Sequence, residues 1–178
     1  MITVIQICKE KFHYYEFVRP IEEIIKKTNT EFISIHYKDL TEDMLSKSRK
    51  IIICGTSLKD NAFLDDIKYF LWLRGYNKPV LGICGGMHIL GLLYNEKMHK
   101  KQEIGLTKVE FKKDFFGMKK IEEVYELHNF YVTSKEYNII AESKNCPQAI
   151  KHREKPFYAV LFHPEVRNKE LIRNFILD

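Results

Sequence analysis

Residues 79–91 read PVLGICGGMHILG, an apolar strand-like run that ends at Cys84 and continues as an apolar helix-like run. The centre of this run has the pattern G-x-C-x-G, with Gly82 two residues before the cysteine and Gly86 two residues after it. Glycines at these positions are typical of a nucleophile elbow, because side chains there would clash in so tight a strand-to-helix turn. The run therefore predicts a strand, a presented cysteine and a helix, which together form one unit of a parallel sheet.

Short β-branched runs alternate with longer amphipathic runs through the first half of the chain, which extends this unit into repeated βα units. We expect strands near residues 2–7, 32–36, 50–54 and 79–83. We expect helices over residues 15–27, over residues 64–73 and after Gly85. The second half predicts strands over residues 106–111, 124–132, 137–142, 149–152 and 157–162, and a closing helix over residues 168–176.

Several consecutive strands without helices between them favour an antiparallel meander, with a turn signal at residues 116–117. The predicted fold class is therefore α/β: a flavodoxin-like parallel sheet flanked by helices, with an antiparallel β meander in the second half. The length of 178 residues is typical of one compact domain, so we expect residues 1–178 to form a single domain.

Lysine and arginine number 29 against 24 aspartate and glutamate, a net charge of +5 that falls short of a concentrated basic stripe. Nucleic acid is therefore not an expected partner. The four cysteines form no CxxC pair, which favours a reducing, cytoplasmic compartment over a disulfide framework. No apolar run reaches the length of a membrane span, and no nucleotide-binding signature is evident, so we expect no membrane anchor and no cofactor.

The predicted elbow places Cys84 at a helix N-terminus, where unpaired backbone N–H groups favour a thiolate. The first of these groups, from Gly85, could also stabilise an oxyanion that develops on an attacked carbonyl. An alternative is that Cys84 is a buried structural thiol, since cysteine is among the most buried residue types. The four-residue spacing to His88 could also suit a metal, but no second pair of ligands supports it, and we expect no metal site.

A thiolate that attacks an amide needs an acid to protonate the leaving amine. His163 is the strongest candidate, because it follows an apolar strand-like run and precedes Pro164 and Glu165. Residues two apart in an extended segment face the same way, so the Glu165 carboxylate can orient the imidazole. The alternative is that both residues only begin a loop before the last helix.

These two motifs resemble those of the class I glutamine amidotransferases, whose glutaminase domain has a G-I-C-x-G turn and a late F-H-P-E segment. Both are present, at residues 82–86 and 162–165. The resemblance covers most of the chain. Within the family, the stretch 146–166 is most similar to the separate glutaminase subunit of archaeal-type GMP synthase.

The resemblance implies a glutaminase with a Cys-His-Glu triad, in which Cys84 attacks the side-chain amide of glutamine, His163 moves the protons and Glu165 orients it. It also implies backbone oxyanion donors at Gly55 and Thr56, in a turn where the family has Gly-Gly-Pro. Thr56 would then need a conformation that the family's glycine adopts at no steric cost.

The implied substrate contacts come from three further residues. His88 stands where the family usually has glutamine, and the backbone of Asn129 and Phe130 corresponds to a glutamine-contacting segment. These departures are consistent with a divergent subfamily that has a different partner or donor.

The family couples ammonia release to a synthetase, and this sequence contains no signature of one. The resemblance therefore implies glutamine as substrate and a separate ATP-dependent synthetase, with GMP synthase the leading candidate. One alternative is a stand-alone γ-glutamyl hydrolase or peptidase of the same fold. The other is a non-catalytic regulatory subunit.

Overall fold

The computed structural model describes residues 1–94 and 97–178. The described residues form a sheet of nine strands in the order β2-β1-β3-β4-β9-β8-β7-β5-β6. The strands are β1 (Ile2–Gln6), β2 (Phe32–His36), β3 (Lys50–Ile53), β4 (Val80–Ile83), β5 (Met98–Phe115), β6 (Met118–Val132), β7 (Tyr137–Glu142), β8 (Pro147–His152) and β9 (Phe157–Val160). Strands β2, β1, β3, β4 and β9 are parallel to their neighbours in this order, and the remaining pairs are antiparallel. The predicted α/β class is confirmed.

The α-helices are α1 (Arg19–Lys27), α2 (Glu42–Lys47), α3 (Gly85–Leu92) and α4 (Lys169–Leu177). The helix predicted over residues 15–27 is divided, because a π-helical turn over Tyr14–Val18 precedes α1. Pro20 lies in the first turn of α1, where its missing N–H costs no intrahelical hydrogen bond.

The α-helix expected over residues 64–73 was a wrong assignment, since Ile67–Arg74 form a 3₁₀ helix after a short 3₁₀ turn. The physical reason lies in the spacing of the apolar residues. Ile67, Phe70 and Leu73 are three residues apart, and a helix with three residues per turn places them on one face. Phe70 and Leu73 are buried there.

Strands β5 and β6 extend well beyond the runs predicted for them, and they form a long hairpin that turns at residues 116–117 as expected. The register shifts twice along this hairpin. Strand β9 joins the two halves of the fold, because it pairs in parallel with β4 and antiparallel with β8. The antiparallel strands are therefore a continuation of the parallel sheet.

Both faces of the sheet are buried. Ile2 and Val4 of β1 belong to one apolar cluster, whereas Ile5 and the following Ile7 belong to another. Because successive side chains of a strand point to opposite faces, this division shows a separate apolar layer on each side of the sheet. Among the described residues, no helix is long and apolar enough to cross a membrane.

The pairing of β4 with β9 positions the two sequence motifs. Ile83 is opposite Val160 at the carboxyl ends of these strands. Cys84 follows β4 directly and His163 follows β9 by three residues, so the topology brings both to one edge of the sheet. Functional groups of parallel sheets commonly gather at this edge.

Helix α4 is anchored by Phe175, which is buried against the rings of Phe116 and Tyr158. We expect Phe175→Ala to lower the free energy of unfolding by about 3–5 kcal/mol, because it leaves a cavity in this cluster. Urea unfolding followed by circular dichroism measures the change. The matched control is Leu177→Ala on the same helix, which removes a side chain that is 58% exposed. Equal losses in both variants would contradict the assigned packing.

Candidate active site

Cys84 lies in a strained backbone conformation between β4 and α3, with φ of 48° and ψ of −99°. Non-glycine residues rarely adopt a positive φ, and such strain persists only where surrounding contacts hold it. One contact is the Cys84 N–H, which donates to the Val160 carbonyl at 2.8 Å. The other is the start of α3, where the N–H groups of Met87 and His88 donate to the Cys84 carbonyl. The cysteine therefore has the geometry of a nucleophile elbow.

The glycines on either side of Cys84 are required by close backbone approach. A Cβ atom on Gly82 would lie 2.7 Å from the Gly86 carbonyl carbon and oxygen. A Cβ atom on Gly86 would lie 2.5 Å from the Ile53 carbonyl oxygen. Backbone atoms cannot move aside cheaply, so any side chain at these positions would push α3 off the sheet.

His163 and Glu165 form a buried pair. The Nδ1–H of His163 donates to Glu165 Oε1 at 2.7 Å, and both side chains are inaccessible to solvent. The His163 N–H donates to the Tyr125 carbonyl on β6, which fixes the backbone of the pair. Burial lowers the pKa of His163, but the Glu165 carboxylate and the Cys84 sulfur raise it more, so the pKa lies well above its ordinary value.

Cys84 and His163 adjoin each other beside Gly55. A Cβ atom on Gly55 would lie 2.6 Å from His163 Cε1 and 3.2 Å from Cys84 Cβ, so only glycine leaves room for both side chains. The Cys84 thiol donates to the Leu127 carbonyl at 3.7 Å. His163 Nε2 has no hydrogen-bond partner among the described residues, so it is free to exchange a proton with a nearby group. Cysteine, histidine and glutamate thus lie in the order that the two motifs predicted.

A narrow cleft lies over Cys84, with a cavity volume of about 20 Å³ that has room for roughly one water molecule. It is lined by six of the residues predicted from the sequence and by segments on both sides of them: Thr56, Ser57, Leu58, Asn61, Phe63, Cys84, Gly85, His88, Leu127, His128, Asn129 and Phe130. Gly55, His163 and Glu165 lie behind the cysteine. The structure therefore brings all the predicted site residues to one place.

Two backbone segments at the cleft could donate to an oxyanion. Gly85 is the first residue of α3, so its N–H has no partner within the helix. Thr56 lies outside the left-handed region of backbone conformation, so threonine is not strained at this position. Its hydroxyl is buried and has no hydrogen-bond partner among the described residues. The roles of Gly55 and Thr56 in binding an oxyanion stay predictions.

His88 is a neutral imidazole in this arrangement. Its Nε2 lies 2.9 Å from the Phe130 carbonyl, which can only accept, so Nε2 carries the proton. Burial lowers the pKa of His88 to about 4. The ring therefore joins α3 to β6 across the floor of the cleft, and its role in binding substrate stays a prediction.

The side chain of Asn129 joins two segments of the cleft wall. It donates from Nδ2 to the Leu58 carbonyl at 3.2 Å and accepts from Gln102 Nε2 at 2.6 Å. The contact of the Asn129 and Phe130 backbone with substrate likewise stays a prediction.

Two neighbours of the site were not predicted from the sequence. The Leu127 carbonyl receives the Cys84 thiol, and the Phe17 ring packs on the His163 ring with centroids 5.3 Å apart. A backbone carbonyl has no signature in the sequence. Phe17 lies in an amphipathic run, whose pattern predicts burial without saying which residue it covers.

The sequence matches the family model for class-I glutamine amidotransferases over residues 12–178. It is 34% identical over 112 residues to a subunit of the glutamine-hydrolyzing GMP synthase of Pyrococcus abyssi, covering 56% of this chain and 60% of the relative. It is 32% identical over 157 residues to the glutamine-hydrolyzing GMP synthase of Spiroplasma kunkelii, covering 80% of this chain but 30% of the relative. The chain thus spans less than two thirds of these relatives.

Among solved structures, a GMP synthase subunit from Thermoplasma acidophilum superposes with a TM-score of 0.86 at 22% identity, over 98% of this chain and 91% of the other. A glutamine amidotransferase from Thermotoga maritima superposes with a TM-score of 0.74 at 18% identity, over 97% and 80% of the two chains. At these identities the structural matches establish the fold. With the family match over nearly all of its length, the chain belongs to the class-I glutamine amidotransferases.

Proposed function

We propose that this chain is a glutaminase, which hydrolyses the side-chain amide of glutamine through a thioester on Cys84 and supplies the ammonia to a separate synthetase. The observation that carries the proposal is the contact of Cys84 with a buried His163–Glu165 pair, beside a narrow cleft. A purely structural thiol would need neither the strained turn nor the buried ion pair beside it.

In the proposed reaction, His163 Nε2 has already taken the proton of the Cys84 thiol, in keeping with its raised pKa, and the thiolate attacks the amide carbon of glutamine. The N–H groups of Gly85 and Thr56 stabilise the negative oxygen of the tetrahedral intermediate. His163 then gives the proton to the leaving nitrogen, and ammonia departs from the thioester. Water attacks the thioester with His163 as base, which releases glutamate and restores the thiol. Glu165 keeps the imidazole in the tautomer that leaves Nε2 facing the reaction.

The proposed partner follows from the chemistry of the product and from the relatives. Ammonia released into water would be lost, so an enzyme that uses it must bind close to the cleft. The relatives named as glutamine-hydrolyzing GMP synthases, one of them a single subunit of such an enzyme, favour a GMP synthase-type ATP-dependent synthetase. We therefore propose that the acceptor is a purine nucleotide precursor held by a separate chain.

Loss of the sulfur should abolish turnover. We expect Cys84→Ala to lower ammonia release from glutamine by at least about 10³-fold, because the thioester cannot form. A diazoketone analogue of glutamine should add to the unaltered chain at Cys84, as located by peptide mass spectrometry. Cys8→Ala, which removes another buried cysteine, should still be labelled.

The assay is run with and without added synthetase, and with γ-glutamyl peptides beside glutamine. Efficient cleavage of the peptides by the lone chain would assign the site to a γ-glutamyl hydrolase instead. Absence of both turnover and labelling would leave a non-catalytic role.

Removal of the Glu165 charge tests whether the carboxylate orients and charges His163. We expect Glu165→Gln to lower kcat by at least about 10²-fold, because the amide no longer selects the productive tautomer. The carboxylate raises the pKa of His163, so its loss should move the titration of His163 to lower pH in the pH profile of Cys84 labelling. Glu170→Gln, at an exposed position on α4, is the control and should leave both unchanged. An unaltered profile in Glu165→Gln would contradict the proposed role.

The variant His88→Gln tests whether His88 holds the structure together or binds substrate. The introduced side-chain amide keeps an N–H donor for the Phe130 carbonyl. We therefore expect the KM for the substrate glutamine to change by less than about tenfold. Because the pKa of His88 falls from 6.5 to about 4 on folding, its stability contribution is complete above pH 6.5 and is lost as the pH falls toward 4.

Between pH 7 and pH 4, the free energy of unfolding should therefore fall by about 3 kcal/mol less in His88→Gln than in the unaltered chain. His99→Gln, an exposed histidine on β5, is the control for urea unfolding at each pH. Parallel losses in the unaltered chain and in His88→Gln would show that folding does not lower the pKa of His88, which would contradict the assigned burial.

A further inference from the structure

A second cluster of reactive side chains lies beside the cleft, between β5, β6 and the turn before β8. It consists of Glu103 on β5, Glu126 and His128 on β6, and Cys146 in the turn before β8. All four side chains are more than nine-tenths buried. One ligand atom from each of Glu103, His128 and Cys146 lies within 4.8 Å of the other two. No step of the proposed glutaminase reaction uses this cluster.

The orientation of His128 points to a missing partner. Its Nδ1 lies 3.1 Å from the Lys101 carbonyl, which can only accept, so Nδ1 carries a proton. Nε2 lies 3.3 Å from one oxygen of Glu103 and 3.3 Å from one oxygen of Glu126. Neither oxygen is placed to accept a hydrogen bond from Nε2, which has no hydrogen-bond partner among the described residues. A histidine that donates from Nδ1 to a carbonyl and leaves Nε2 open has the arrangement of a metal ligand.

The Glu126 carboxylate adds two more acceptor atoms that have no donor in the part of the chain that the structure describes. Both oxygens of Glu126 are buried and lack a hydrogen-bond partner among the described residues. Together with Nε2 of His128, three buried acceptor atoms therefore converge with no donor between them. Buried polar atoms are seldom left in this condition, because each costs about 1–3 kcal/mol. A bound cation would satisfy all three at once.

Glu103 is held in place for a further contact. Its carboxylate accepts from Gln148 Nε2 at 2.8 Å and Asn145 Nδ2 at 2.8 Å, and the Ser143 hydroxyl lies 3.3 Å away. The Cys146 thiol donates to Glu103 Oε2 at 3.2 Å. Hydrogen bonds of this kind fix the orientation of ligating carboxylates in metal sites.

We propose that Glu103, His128 and Cys146 bind a divalent zinc-like ion, with Glu126 beside it as a fourth ligand or a charge partner. In a tetrahedral zinc site, nitrogen and oxygen ligands are about 3.4 Å apart and sulfur and oxygen ligands about 3.6 Å. The corresponding distances are 3.3 Å between Nε2 and Oε2, and 3.2 Å between Sγ and Oε2. The set of sulfur, imidazole and carboxylate favours zinc over magnesium or calcium, which prefer oxygen alone.

Such an ion would join two strands and a turn at one point. Its ligands come from β5, β6 and the turn between β7 and β8, and the thiol proton of Cys146 would leave to buffer on binding. His128 lines the cleft together with its neighbours Leu127 and Asn129. The expected effect is therefore a more rigid sheet at the cleft wall. No sequence motif signals this site, because the ligands are far apart along the chain.

Metal binding is tested on the full chain in a Cys84→Ala background, so that the cleft thiol cannot act as a ligand. We expect dialysis against zinc chloride, followed by metal analysis, to give one zinc per chain. Cobalt(II) chloride should give a thiolate-to-cobalt charge-transfer band and the visible bands of a tetrahedral ion. Added zinc should raise Tm in a concentration-dependent way.

Two further substitutions and one control assign the site. Cys146→Ser should abolish the charge-transfer band, and Glu103→Gln should weaken zinc binding at least tenfold while keeping the band at high cobalt. Cys8→Ser should bind as the parent does. Circular dichroism establishes that each variant is folded.

No saturable zinc uptake by the Cys84→Ala chain, or a charge-transfer band that persists in Cys146→Ser, would overturn the proposal. Because these measurements use a chain without Cys84, they are independent of glutaminase activity.

Discussion

The candidate site depends on the parallel pairing of β4 with β9. These strands are far apart in the sequence, yet Ile83 and Val160 are register partners at their carboxyl ends. The same pairing supplies the hydrogen bond from the Cys84 N–H to the Val160 carbonyl. A shift of one residue would break this bond and turn the side chains of β9 to the opposite face of the sheet. The cysteine and the histidine can therefore meet only in the observed register.

Strain at Cys84 is sustained by rigid surroundings on three sides. Gly82 and Gly86 allow backbone to approach backbone, and Gly55 leaves space for the imidazole. The apolar layers on both faces of the sheet keep these segments from relaxing. A positive φ at a non-glycine residue costs of order 1–3 kcal/mol, which the close packing must offset. In return, the sulfur is held at the start of a helix beside its proposed base.

Local patterns made much of this arrangement predictable. The G-x-C-x-G run and the F-H-P-E segment each contain their own geometry within a few residues, so the elbow and the His163–Glu165 pair followed from sequence alone. The βα alternation likewise indicated the parallel sheet. The extension of β5 and β6 was not visible, because charged residues on the exposed side of a hairpin do not distinguish strand from loop.

Features that depend on residues far away in the sequence could not be predicted from local patterns. The tautomer of His88 is set by the Phe130 carbonyl, and the surroundings of His128 include Glu103 of the neighbouring strand β5. The 3₁₀ helix over Ile67–Arg74 was missed for a different reason, since spacings of three residues also occur in α-helices. Thr56 was expected to need a conformation that suits glycine, yet its backbone carries no positive φ.

The position of β9 also bears on the order in which the chain is made. Strands β1 to β4 and the cysteine are synthesised first. One edge of β4 stays unpaired until β9, near the carboxyl end of the chain, has been made. Until that strand docks, the Cys84 thiol has no histidine beside it. On the proposed mechanism, a nascent chain on the ribosome is therefore inactive as a glutaminase until the sheet is complete.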